Sequence, residues 1–135
     1  MSYSFVPSTC SYCGTGCGLL FKVIDDAIIG TLPLKSHPVN QGKLCLKGWN
    51  MHEFIQSDMR LKFPLIKGSG RFQRATWEEA IQQTADRFQA IVQEHGPESI
   101  GFLVSAKISN EENYLAQKLA RAGLKTNNVD HCARL

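Results

Sequence analysis

Four cysteines constrain this chain more than any other feature. Cys10, Cys13 and Cys17 fall inside one turn, Cys10-Ser11-Tyr12-Cys13-Gly14-Thr15-Gly16-Cys17, and Cys45 follows within Leu44-Cys45-Leu46-Lys47-Gly48, giving the spacing C-x2-C-x3-C-x27-C. Four unrelated buried thiols would be a poor account of that spacing, because packing alone rarely sets three cysteines among glycines. Ligation of a metal centre accounts for it. Gly14, Gly16 and Gly18 let the backbone turn tightly and bring its N–H groups close to a bulky centre.

Two kinds of centre take four thiolates. Zinc binds them tetrahedrally, but zinc ribbons usually pair two C-x-x-C knuckles, and here the second half is a lone Cys45. A [4Fe–4S] cluster takes one thiolate per iron, which suits three ligands from one loop and a fourth from a distance. The spacing also departs from the ferredoxin run C-x2-C-x2-C-x3-C-P, and no proline follows Cys17. A free-standing small ferredoxin is therefore disfavoured. His37, His52, His95 and His131 read as surface or helix-end residues, with no pair at a metal-site spacing.

Composition limits what such a centre can serve. A chain of 135 residues, 43% hydrophobic and 20% charged, is ordinary for a globular protein of one domain or one and a fraction. The net charge of +3 is spread out, with no basic run and no basic stripe interleaved with aromatics, so no nucleic-acid partner is expected. No window approaches the roughly 18 to 20 apolar residues of a membrane span. The amino terminus also lacks the basic region, apolar stretch or twin arginine of an export signal. A cytoplasmic location follows as the expectation, and there five cysteines stay reduced and available for ligation.

Along the chain, residues 19–24 and 27–32 are apolar, β-branched runs around Asp25-Asp26, which predicts a hairpin beneath the cysteine loop. Turn formers Pro38, Asn40 and Gly42 return the chain to Cys45, and 48–57 reads as a short amphipathic helix. Residues 60–74 form a connection with room for a short hairpin. Thr76-Trp77-Glu78-Glu79 is a capping box that starts a helix stopped by Gly96-Pro97. The apolar run 99–105 predicts a buried parallel strand. Ser109-Asn110-Glu111-Glu112 starts a second helix ending at Gly123, and 127–130 begins another strand or the loop before it. The fold class is thus α+β followed by α/β: a small β-rich cluster domain over 1–60, then the beginning of an incomplete α/β domain with a parallel sheet over 61–135. An edge and an apolar face are left uncovered, which favours aggregation.

Several stretches together resemble one family. Cys10-Ser-Tyr-Cys13-Gly-Thr-Gly-Cys17, then His37-Pro38-Val39-Asn40-Gln41-Gly42-Lys43-Leu44-Cys45-Leu46-Lys47-Gly48, then Phe72 and Trp77-Glu78-Glu79-Ala80, are similar to the amino terminus of the molybdenum- or tungsten-bis-pterin oxidoreductases. Asn110-Glu111-Glu112-Asn113-Tyr114 and Thr126-Asn127-Asn128-Val129-Asp130-His131-Cys132-Ala133-Arg134 resemble the catalytic subunit of formate dehydrogenases.

The resemblance implies that Cys10, Cys13, Cys17 and Cys45 bind a [4Fe–4S] cluster and that Lys47 lies between it and a pterin, on the electron path. Lys107 stands where the family can carry a basic residue near the pterin, with a solvated loop lysine as the other reading. The parent enzyme would hold a molybdenum or tungsten bis(molybdopterin guanine dinucleotide), oxidise formate to carbon dioxide, and deliver electrons to iron–sulfur, nicotinamide-linked or hydrogenase-linked subunits. The metal ligand of the family, a cysteine or selenocysteine, would follow Leu135. Codon 136 is accordingly expected to be UGA, a point that the DNA beyond Leu135 tests. The fragment alone is expected to be inactive, and Cys132 is assigned to structure or packing beside the pterin, not to catalysis. The other readings are a nitrate reductase-like member of the superfamily, an independent [4Fe–4S] electron-transfer module and a zinc-stabilised structural domain.

Overall fold

A computed structural model describes residues 2–132 of the chain; Met1 and Ala133, Arg134 and Leu135, the end of the formate dehydrogenase-like stretch, lie outside the described residues. The described chain is mixed α and β and gathers into two compact units. One comprises 2–60 together with Ser105–Tyr114, the other Leu61–Val104 together with Leu115–Cys132.

The first unit is built on a three-stranded antiparallel sheet in the order β1 (Tyr3–Thr9), β2 (Gly18–Ile24), β3 (Ala27–Pro33). The expected hairpin is β2–β3, and its turn residues Asp25 and Asp26 take φ of 47° and 64°. Two left-handed residues in succession match the right-handed twist of the flanking strands. Strand β1 was not legible in the sequence. Pro7 reads as a break, yet β1 pairs only with β2, and an edge strand tolerates a residue without an N–H.

Alternation along β2 turns Leu19 and Phe21 to one face, where they meet Cys10 and Met51 in the core of this unit. Leu19 is fully buried, and its removal from water stabilises the fold by roughly 2 kcal/mol. The helix expected over 48–57 begins earlier and is broken: α1 (Leu46–Trp49) starts directly at Cys45, its N-cap, and α2 (Met51–Ile55) follows Asn50. Asn50 Nδ2 donates back to the Leu46 carbonyl at 2.9 Å, which competes with continuation of the first helix.

In the second unit, β4 (Leu65–Gly68) and β5 (Arg71–Arg74) form the short hairpin of the connecting stretch. Helix α3 (Trp77–His95) carries the complete capping box: the Glu79 N–H donates to Thr76 Oγ1 at 3.2 Å, and the Thr76 N–H donates to Glu79 Oε2 at 2.8 Å. Its described residues include none that is fully buried, and Trp77, Ala80, Ile81, Ala85 and Phe88 leave an open apolar face.

The parallel pair forms as expected but shorter: β6 (Phe102–Val104) beside β7 (Val129–His131). Pro97–Ser99 is drawn into a 3-10 turn, which removes the first residues of the predicted strand. Thr126, wholly buried, ties the pair at its start by donating Oγ1 to the Ile100 carbonyl at 3.3 Å. Helix α4 (Asn110–Lys118) begins with the second box, Ser109 with Glu112, and its last turn, Leu119–Gly123, is π-helical before the chain leaves at Gly123.

Candidate metal centre

The loop between β1 and β2 is closed at its base by the Cys10 N–H, which donates to the Cys17 carbonyl at 2.8 Å. Cys10 packs into the core, Cys13 and Cys17 are half-buried, and Cys45 is exposed at the N-terminus of α1. Among the described residues no disulfide joins any of these thiols.

What brings Cys45 back to the loop is Asn40. Its amide is buried and used three times: Oδ1 accepts from the Gly18 N–H at 2.9 Å, and Nδ2 donates to the Gly18 carbonyl at 3.0 Å and to the Lys43 carbonyl at 2.8 Å. One side chain thus fastens the residue after Cys17 to the residue two before Cys45. Gly18 must be glycine here, because a Cβ would overlap the His37 ring.

The four sulfurs lie in one electrostatic neighbourhood. Burial raises the Cys17 thiol above its ordinary value, and repulsion from Cys10, Cys13 and Cys45 raises it further. Cys13 is lowered, chiefly by the Thr15 hydroxyl, with Sγ and Oγ1 3.3 Å apart, then by the Thr15 N–H and the charge of Lys47. Cys45 is lowered by the N–H groups of Gly48 and Lys47 and by the Lys47 charge. No hydrogen bond of full geometry closes that cap, so the effect on Cys45 is that of N–H dipoles facing the sulfur.

Although the four thiols sense one another, no three Cys, His, Asp or Glu side chains among the described residues converge closely enough to hold a single metal ion. A [4Fe–4S] cluster takes one thiolate for each iron, and four thiols within one electrostatic neighbourhood match that ligand number. The donor set therefore fits the iron–sulfur cluster.

Lys47, half-buried on α1, is the cation common to Cys13 and Cys45. Lys107 is exposed in the 105–109 loop, where its N–H donates to Ser105 Oγ at 3.0 Å. Cys132 is exposed. His52 Nδ1 is 3.1 Å from Thr31 Oγ1 and His131 Nδ1 is 3.0 Å from the Cys132 carbonyl, while His37, read as a surface residue, packs its ring against Gly18 with Nδ1 buried and without a hydrogen-bond partner.

Thr15, Asn40 and Asn110 were missed as site residues in the sequence. The spacing of Thr15 inside the cysteine run was the available signal. Asn40 read as one turn former among several, and nothing in sequence order joins Asn110 to Gly14, whose carbonyl it holds at 2.8 Å.

Residues 3–57 match the molybdopterin oxidoreductase Fe4S4 domain and 60–135 match the family described as molybdopterin oxidoreductase. The chain belongs to the molybdopterin oxidoreductases and carries their Fe4S4 domain and the first part of the molybdopterin domain. Among its relatives are the "F420-dependent formate dehydrogenase 1 subunit alpha" of Methanococcus maripaludis, 49% identical over 135 residues, and the corresponding subunit of Methanocaldococcus jannaschii, 47% identical over 135 residues. Both matches cover 100% of this chain and 19% of the relative, so the chain spans about a fifth of their length. Acetylene hydratase from Pelobacter acetylenicus shares the fold, with a TM-score of 0.71 at 23% identity over 93% of this chain and 18% of the hydratase.

Proposed function

We propose that Cys10, Cys13, Cys17 and Cys45 hold a [4Fe–4S] cluster that conducts electrons away from a molybdenum- or tungsten-pterin centre, and that the whole protein is the catalytic subunit of a formate dehydrogenase. The observation that carries the cluster assignment is the match of residues 3–57 to the Fe4S4 domain, within which all four thiols fall in one electrostatic neighbourhood. Identities of 49% and 47% to formate dehydrogenase alpha subunits support the substrate assignment.

When bound, the pterin metal supplies the two-electron oxidation of formate to carbon dioxide and a proton. The residues of this chain act on the outgoing electrons. Lys47 offers a positive charge beside the sulfurs of Cys13 and Cys45, where it favours arrival of negative charge at the cluster. The N–H groups of Thr15, Lys47 and Gly48 lower the cost of that charge in the same way. Lys107 is assigned to the pterin side.

The domains divide as 1–60 for the cluster and 61–135 for the start of the pterin domain. Onward electron-transfer subunits take the electrons, with coenzyme F420 as the acceptor favoured by the names of the methanococcal relatives. Among the described residues no helix is long and apolar enough to cross a membrane.

Purification without oxygen, followed by assay for iron, acid-labile sulfide and zinc, tests the cluster. Iron and sulfide in equal amounts are expected, and stoichiometric zinc in their place overturns the assignment. Formate-dependent reduction of a viologen by the whole protein tests the reaction, with inertness toward formate and turnover of another oxyanion favouring a nitrate reductase-like member.

A further inference from the structure

One side chain reaches the cysteine loop from far away in sequence. Asn110, the first residue of α4, donates from Nδ2 to the Gly14 carbonyl at 2.8 Å across 96 positions of sequence. Its Oδ1 takes the space that a side chain at Gly14 would need, since a Cβ there would lie 2.5 Å from it. Asn110 is presented from a braced segment. Ser109 and Glu112 close the capping box on either side of it, and Asn113 Nδ2 donates to the carbonyls of Ser105 at 3.4 Å and Ser109 at 3.3 Å.

Gly14 follows the ligand Cys13, and the peptide that joins Gly14 to Thr15 is planar and trans, so its C=O and N–H point in opposite directions. A donor that fixes the oxygen on one side fixes the N–H on the other. That N–H belongs to Thr15, the residue that stands beside the Cys13 sulfur, with Oγ1 3.3 Å from Sγ. Donation to the oxygen also polarises the amide and strengthens its N–H, as in any chain of hydrogen bonds.

We propose that Asn110 is a positioning residue for the cluster: through the Gly14 peptide it aims and strengthens the Thr15 N–H toward the Cys13 sulfur and thereby raises the reduction potential of the centre. A reduced cluster carries one more negative charge, and N–H donors to its sulfurs favour that state. The inference rests on the assignment of the four cysteines to a [4Fe–4S] cluster.

The test is a redox titration of the purified, cluster-loaded protein followed by electron paramagnetic resonance of the reduced centre, with iron and sulfide measured on every sample. A wild type without iron and sulfide sinks the cluster assignment and this inference with it. With the wild type loaded, N110A is expected to lower the ratio of reduced to oxidised cluster about fivefold at the wild-type midpoint, which is about 40 mV for a one-electron couple. N110S, whose hydroxyl is too short to reach Gly14, is expected to do the same. N110Q, which keeps an amide donor, is expected to return most of the loss.

N113A separates aiming from general loosening, because it slackens the same segment without touching the cysteine loop. Loaded N110A and N110S with wild-type potentials overturn the inference, as does a shift in N113A equal to theirs. Failure of both N110A and N110S to load iron into an otherwise folded protein makes Asn110 an assembly residue and overturns the tuning role too.

Discussion

Asn40→Ala is the perturbation that most directly tests how this chain builds its centre. The side chain satisfies three backbone groups, the Gly18 N–H and the carbonyls of Gly18 and Lys43, at 2.8 to 3.0 Å in a buried position. The Gly18 carbonyl keeps a second donor, the Leu34 N–H at 3.1 Å, so its loss is small. The Gly18 N–H and the Lys43 carbonyl lose the partner that Asn40 gives them. Each buried orphan costs about 1 to 3 kcal/mol. With partial relief by entering water, the sum is about 2 to 4 kcal/mol, a large share of the total stability of a small domain. Asn40→Asp sharpens the case: it keeps an acceptor for the Gly18 N–H but turns a carboxylate oxygen toward two carbonyls, so it is expected to cost at least as much as Asn40→Ala. Urea unfolding followed by circular dichroism gives the stability, and iron per chain after anaerobic purification gives the consequence for the centre, because the same amide holds the segment that delivers Cys45. A cost below about 1 kcal/mol for both variants, with iron retained, would refute the reasoning.

Other expectations are as direct. Lys47→Ala should slow formate-driven turnover of the whole protein about fivefold at unchanged iron content, since removal of one nearby charge is worth about 1 kcal/mol. Normal turnover with an artificial acceptor would remove Lys47 from the electron path. Thr76→Ala removes the hydroxyl of the α3 capping box and should lower stability by about 1 kcal/mol in urea. The Thr76 N–H and hydroxyl hold the Glu79 carboxyl below its usual range, so the contribution of the box is complete above the unfolded glutamate value and fades as pH falls through the lower folded value. The gap between Thr76→Ala and wild type should therefore narrow in acid, and a constant gap down to about pH 3 would contradict this. In iron-free protein at neutral pH, iodoacetamide should label Cys13 and Cys45 before Cys17, because the thiolate is the reactive form and local donors lower the first two while burial and repulsion raise the third. Peptide mass spectrometry reads the order, and earlier labelling of Cys17 would contradict it.

The parts of the fold legible in sequence are those dictated by local chemistry. Both capping boxes, the Asp25-Asp26 turn and the stop at Gly96-Pro97 are decided within a few residues, and each forms. Strand β1 was hidden because its order comes from pairing with β2, which no local pattern in Tyr3–Thr9 announces. The predicted strand over 99–105 lost its first residues to a 3-10 turn after Gly96, where proline's fixed φ suits a tight turn better than a ladder. At the site the four cysteines proposed as ligands stand out because cysteine spacing is a local signal. The residues that hold them do not, because Asn40 and Asn110 act across 22 and 96 positions.

Those two asparagines explain how a glycine-rich loop can be a defined ligand. Three glycines within Gly14–Gly18 give the chain many conformations to lose, and the loop's own hydrogen bonds, Cys10 to Cys17 and Gly16 to Cys13, are too few to select one. Asn110 fixes the peptide after Gly14, and Asn40 fixes both backbone groups of the residue after Cys17. Asn110 binds backbone at a place where its own amide fills the room of a side chain at 14, whereas glycine at 18 leaves room for the His37 ring beside the backbone that Asn40 binds. Substitution at Gly14 and substitution of Asn110 should then be non-additive, since the second change removes an interaction already lost to the first. A double variant Gly14→Ala with Asn110→Ala is expected to lose little more cluster than the worse of the two singles. Losses that simply add would mean that the glycine serves the turn alone and that the asparagine acts elsewhere.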